Sequence, residues 1–154
     1  VYVLELSSFQ LDGIIDYKPH IAVITNISPD HLDRYNYDYG LYIESKFRVT
    51  LNQTEEDYLI YDDDDEAIKI WLNNNEIRAK KLPFSLTKKI EEGSYLENKT
   101  LINITNNKQI NMPTSNLSFQ PKSIRLLDEN FRPNIGYSFA TMECDLDIQI
   151  SIHH

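Results

Sequence analysis

Cysteine is almost missing from this chain. Cys144 is the only one in 154 residues, so no disulfide can close within it, and nothing in the chain calls for an oxidising compartment. Cations are also in short supply. Fifteen Lys and Arg stand against 24 Asp and Glu, giving a formal net charge of −9. Such a surface repels phosphate backbones, which argues against a nucleic-acid partner. An anionic substrate would need local cations, a helix N-terminus or a divalent metal. No apolar run is long enough to span a bilayer. Residues 1–6 are apolar, but they are too few and lack the basic flank of a secretory signal. Internal repeats and low-complexity tracts are absent. The expectation is a cytoplasmic protein with no membrane partner.

What is present suffices for one domain, since hydrophobic residues make up 41% of the chain. The chain opens at Val1 on a strand-like run without a methionine, which reads as a piece of a longer protein. Residues 1–6 are expected as a buried strand. Residues 8–16 are expected as a short helix or turn capped by Ser7 or Ser8. A second strand is expected over 21–25, and a polar, aromatic loop over 26–37. Leu41, Ile43, Phe47 and Leu51 recur mostly at spacings of four, which predicts a helix over 38–52 with those residues inward. A strand over 57–61 and a helix over 65–73, with Ile68, Trp71 and Leu72 inward, follow. Alternating strands and helices point to an α/β fold with a mainly parallel sheet. Beyond about residue 77, short strands at 78–85, 94–97, 99–105 and 108–112 suggest a small antiparallel β appendage, with Asn106-Asn107 as a hairpin turn. The division is then 1–76 as α/β layer, 77–119 as small β region and 120–154 as a divergent or poorly ordered end. One strand is expected near 146–152.

Three short segments carry groups suited to chemistry: Glu5-Leu-Ser-Ser-Phe-Gln-Leu11, Asn26-Ile-Ser-Pro-Asp-His-Leu-Asp-Arg34 and Tyr42-Ile-Glu-Ser-Lys46. Glu5 in an apolar strand is expensive unless paired or metal-bound, although an edge residue facing water reads as easily. His31 follows a strand by a few residues, where open α/β sheets collect ligands, and a neutral imidazole is a metal ligand. Asp30 and Asp33 read equally as caps of a turn. Lys46 reads as a solvated helical lysine, and as a cation it would oppose a divalent metal beside Glu5 and His31. Ser7 and Gln10 could hold a substrate or cap the next turn. Asp62 to Asp65 read as a solvated helix start.

Taken in order, the three segments resemble the central domain of the Mur ligases, nearest to the branch that adds D-glutamate to UDP-N-acetylmuramoyl-L-alanine. The resemblance is strong over 1–61, consistent in layout to about 119 and absent afterwards. It implies a partial P-loop-type ATPase domain of a ligase of peptidoglycan synthesis, hence of cell shape and division. ATP and two Mg2+ ions are its implied cofactors, with a monomeric parent enzyme. Glu5 resembles a carboxylate that binds magnesium near the ATP phosphates. His31 resembles a ligand of a second magnesium, and Lys46 a lysine that is carbamylated and helps hold that metal; His31 and Lys46 are thus the implied catalytic residues. Ser7 and Gln10 look like neighbours of the muramoyl substrate.

The same resemblance implies parts that this sequence does not contain. A G-x-x-G-K-[ST] phosphate loop is expected upstream of Val1. After Asn116-Leu-Ser-Phe119 the family's glycine and His-Asn pair give way to Gln120-Pro-Lys-Ser123. The chain alone is therefore expected to be inactive. Two other readings compete: a non-catalytic binding domain, and a metal-dependent phosphohydrolase using Glu5, Asp30 and His31.

Overall fold

The computed structural model describes residues 2–114. They form one six-stranded sheet whose order in space is the order in sequence, β1 to β6. β1 (Ile21–Ile24), β2 (Tyr58–Asp62), β3 (Lys80–Ser85) and β4 (Gly93–Glu97) run parallel, with Ile21 opposite Tyr58 and Tyr58 opposite Lys80. β5 (Thr100–Thr105) and β6 (Lys108–Pro113) then fold back as antiparallel hairpins. The hairpin turns are Asn98-Lys99 and Asn106-Asn107, each with both residues at positive φ, the twist that two-residue hairpins favour.

Crossovers between parallel strands need a covering element and turn right-handed. An order that never reverses therefore puts both crossover helices on one face. They are α2 (Tyr39–Phe47, continued by a 3-10 turn Arg48–Thr50) and α3 (Glu66–Asn74). They meet where Phe47 stacks on Trp71, centroids 3.7 Å apart and planes at 7°. Beneath them lie Ala22, Ile24 and Leu59 of the sheet, Ile68 and Leu72 of α3, and Leu11 of the short α1 (Ser8–Asp12). Gln53 is 1% exposed and straps the lower ends of β1 and β2, donating from Nε2 to Pro19 O (3.1 Å) and Tyr58 O (3.0 Å).

Three expectations change. Residues 2–6 form no strand: Tyr2 to Glu5 are exposed, and β1 pairs only with β2 among the described residues. An apolar run becomes a strand only where a neighbour satisfies its backbone. The strand at 78–85 belongs, as β3, to the parallel sheet, and the antiparallel part is confined to β4 to β6. Leu41 on α2 and Leu51 just after its 3-10 turn are exposed, while Tyr42, Ser45, Lys46 and Phe47 are buried. The helix buries a hydroxyl and an amine where leucines were expected. The expectations for 120–154, including the strand near 146–152, lie outside the described residues.

Candidate functional site

α1 begins with a reciprocal cap. Gln10 N donates to Ser7 Oγ at 3.4 Å, and Ser7 N donates to Gln10 Oε1 at 2.8 Å. Ser7 and Gln10 thus hold each other, which fixes the start of the helix and satisfies two amides. Both remain at the surface.

The first motif is fastened to the third through Ser45. Its Oγ lies 2.6 Å from Asp12 Oδ1, 3.0 Å from Ser8 O and 3.0 Å from Tyr35 Oη. A hydroxyl has one proton, and the charged acceptor at the shortest distance takes it. Tyr35 Oη donates to Asp12 Oδ2 at 3.0 Å. Arg48 adds two bonds from α2 to the carbonyls of Leu11 (2.8 Å) and Ile14 (3.2 Å). Ser45 is 3% exposed, so its bonds form away from competing water.

Lys46 follows immediately and is 4% exposed. Its Nζ stands 5.4 Å from the centre of the Tyr42 ring, a cation–π contact. A buried ammonium is costly, so the solvated reading of this lysine does not hold. From Tyr42 a ladder of rings runs to the second motif. Tyr42 meets Tyr35 edge to face at 5.5 Å, Tyr35 stacks on Phe9 at 6.5 Å, and Phe9 meets the His31 ring at 5.3 Å. Arg34 covers the other part of Phe9 with its guanidinium 4.4 Å from the ring centre.

His31 is half-exposed and takes φ 48, a left-handed value uncommon for a non-glycine residue. Asp30 holds it from both ends: His31 N donates to Asp30 Oδ1 at 2.7 Å, and His31 Nε2 lies 3.3 Å from Asp30 Oδ2. Asp30 thus serves the turn, as the blander reading expects. Arg34 turns to Phe9. Glu5 lies before α1, exposed.

The acidic run is more than a solvated helix start. Asp65 caps α3 at Ile68 N, 3.1 Å. Asp64 receives Ser85 Oγ, Thr87 Oγ1 and the amides of Leu86 and Thr87 at 2.7–3.2 Å, tying the end of β2 to the end of β3. Burial would raise its carboxyl, but these four donors outweigh that and hold it at about 2. The Asp62 carboxyl is raised from its ordinary value, by burial first and then by the charges of Asp64, Asp65 and Asp63, against the lowering effect of the bond it accepts from the Asp64 amide. Burial, then the charge of Asp65, raises the Tyr39 phenol.

Magnesium takes six oxygen-rich ligands in octahedral geometry. Among the described residues no three His, Cys, Asp or Glu side chains gather closely enough to hold a metal ion. Lys46 as an amine repels one. The side chains as they stand do not fit Mg2+. The residues that sequence reasoning missed are Asp12, Tyr35 and Ser45, which hold the motifs together. Only the position of Ser45 beside Lys46 hinted at this, and a polar residue on a helix reads first as solvated.

Comparison with known proteins bears on the whole arrangement. Residues 1–139 match the model of the Mur ligase middle domain. A UDP-N-acetylmuramoylalanine--D-glutamate ligase of Christiangramia forsetii is 60% identical over 121 residues, covering 79% of this chain and 27% of that protein. The ligase of the same name from Bacteroides fragilis is 50% identical over 103 residues, 66% of this chain and 23% of that protein. One from Listeria innocua is 44% identical over 95 residues, 62% and 20% respectively. The chain spans about a quarter of the length of the curated relatives it matches. With a family match that takes in all three motifs and the whole described sheet, the chain belongs to the Mur ligase family, its residues 1–139 matching the middle domain.

Proposed function

We propose that the chain is part of an ATP-dependent ligase of peptidoglycan synthesis that joins D-glutamate to UDP-N-acetylmuramoyl-L-alanine, in a monomeric, cytoplasmic parent enzyme. The observation that carries this is the 60% identity over 121 residues to a ligase of that name. In the reaction, the terminal carboxylate of the muramoyl substrate attacks the γ-phosphorus of ATP. The bond to ADP breaks and an acyl phosphate forms. The amine of D-glutamate then attacks the acyl carbon, loses a proton, and the tetrahedral intermediate expels phosphate.

We place Glu5, His31 and Lys46 beside the phosphates in that enzyme. Their assignment as Mg2+ ligands requires Lys46 as its carbamate. Addition of CO2 to the amine replaces a cation by an anion with two oxygen donors, which is what the unmodified set lacks. Magnesium, when bound, supplies charge neutralisation between the two reacting anions. The chain's own contribution is positioning. Ser45 and Tyr35 fasten α2 to α1, and successive ring contacts run from Tyr42, beside Lys46, through Tyr35 and Phe9 to His31. Ser7 and Gln10 are proposed as neighbours of the muramoyl substrate. The 154-residue chain by itself is proposed to be inactive, because phosphate binding needs a loop that its sequence lacks.

The test uses the full-length enzyme that contains this chain. ADP release should require both D-glutamate and UDP-N-acetylmuramoyl-L-alanine. Lys46→Ala should abolish it irrespective of added bicarbonate, whereas the parent residue should gain activity with bicarbonate after CO2 depletion. ATP hydrolysis indifferent to both substrates, or untouched by Lys46→Ala, would sink the reading.

A further inference from the structure

The segment that carries His31 follows the end of β1, and two side chains grip it at one residue, Ile27. Asp65 Oδ2 accepts from Ile27 N at 2.7 Å, while Oδ1 of the same carboxylate accepts from Ile68 N at 3.1 Å. One carboxylate thus caps α3 and holds a strand-end loop 38 residues away in sequence. From the other side, Tyr39 Oη of α2 donates to Ile27 O at 2.5 Å. Ile27 is 4% exposed, so neither of its backbone groups has water as a ready alternative. Both crossover helices therefore fix the backbone four residues before His31. Each oxygen of Asp65 thus accepts from one amide, one in the loop and one in α3.

We infer that Asp65, with Tyr39 as its counterpart, is a positioning residue for His31: it sets where the loop leaves the sheet and so where the imidazole sits against Phe9. The inference rests on the reading of His31 as part of the ligase centre. Misplacing a reacting group by about 1 Å costs on the order of 100-fold in rate, and a clamp on the loop's first turn acts at that scale.

The experiment takes the full-length enzyme with Asp65→Ser, Tyr39→Phe and His31→Ala, singly and combined, and measures kcat, KM for ATP and melting temperature. Serine still caps α3 but is too short to reach Ile27 as well. Phenylalanine removes only the bond to Ile27 O and changes no charge, which separates the clamp from the electrostatics of Asp65. Asp65→Ser should lower kcat by about tenfold or more, with KM for ATP within about twofold. Tyr39→Phe should lower kcat severalfold. Combined with His31→Ala, neither should lower it further, because the group they position is gone. A merely structural role predicts losses that follow melting temperature and multiply with those of His31→Ala; that result overturns the inference. So does wild-type kcat in both clamp variants while His31→Ala is impaired. Should Asp65→Ser fail to fold, Tyr39→Phe decides alone on the same criteria. A fully active His31→Ala refutes the reading of His31 itself, and the inference goes with it.

Discussion

Asp57 offers the sharpest test of how the lower edge of the sheet is held. It is 2% exposed and accepts from Lys18 Nζ (2.9 Å), His20 Nδ1 (3.1 Å), Thr54 N (2.7 Å) and Thr54 Oγ1 (2.9 Å). It thereby ties the approach to β1 to the turn before β2. Burial alone would raise its carboxyl, but the Thr54 amide, Lys18, His20 and the Thr54 hydroxyl together drive it far below the ordinary carboxylate range. Asp57→Asn keeps the shape, removes the charge and turns an N–H towards groups that themselves donate. Breaking a fully buried ion pair costs about 3–5 kcal/mol. Here the Lys18 and His20 side chains are each 40% exposed and regain water, so the expected loss is smaller, about 2–3 kcal/mol. For a domain of this size that is a fall in melting temperature of roughly 10 °C. Circular dichroism melts of the chain and its variant, from about pH 7 downwards, read it directly. A carboxyl lowered on folding contributes stability that is fully present above its unfolded value of 3.8 and is lost as pH falls through the folded value. The gap between the two proteins should accordingly be constant above about pH 5 and narrow steadily below about pH 4. Melts that coincide at neutral pH, or a gap that stays constant into strong acid, would refute the reasoning.

Other perturbations have equally direct readouts. Gly93 has φ +136, and a Cβ there would stand 2.1 Å from Pro83 O, whereas one at Gly13 would meet nothing closer than 3.9 Å. Gly93→Ala should cost upwards of about 2 kcal/mol in urea unfolding and Gly13→Ala close to nothing; equal midpoints would contradict the close approach of β3 and β4. Phe47→Ala, which empties a 2% exposed site against Trp71, should cost about 3–5 kcal/mol and quench-shift the tryptophan emission to longer wavelength. Ser45→Ala should cost about 1–2 kcal/mol and lower kcat in the full-length enzyme, through loosening of α2 against α1; unchanged kcat would show that this bond network does not serve Lys46.

The regular elements were largely legible in the sequence. Strands at 21–25, 57–61, 99–105 and 108–112 and a helix over 65–73 lie within a residue or two of β1, β2, β5, β6 and α3, because β-branched runs and a 3.6-residue period leave local marks. Residues 2–6 misled because strand formation is decided by a neighbour, and an apolar run does not carry its partner with it. The face of α2 misled for a related reason. Leucine spacing marks Leu41 and Leu51, yet the buried side is Tyr42, Ser45 and Lys46, a choice made by contacts with Asp12, Tyr35 and the rings of α1 and the loop that the helix's own spacing does not show. Of the candidate site, the residue types were visible and their wiring was not. Asp65 shows the limit well: one oxygen does the capping that its place before α3 announces, while the other reaches Ile27, which no local pattern records.

The unreversed order β1 to β6 has a consequence for synthesis. A ribosome releases these strands in the order in which they join, so among the described residues β2 to β6 each find their docking edge already built. Loop-closure entropy grows only logarithmically with the length of each connection, and N-terminal parts emerge first. The sheet can be laid down course by course, as a wall is, during translation.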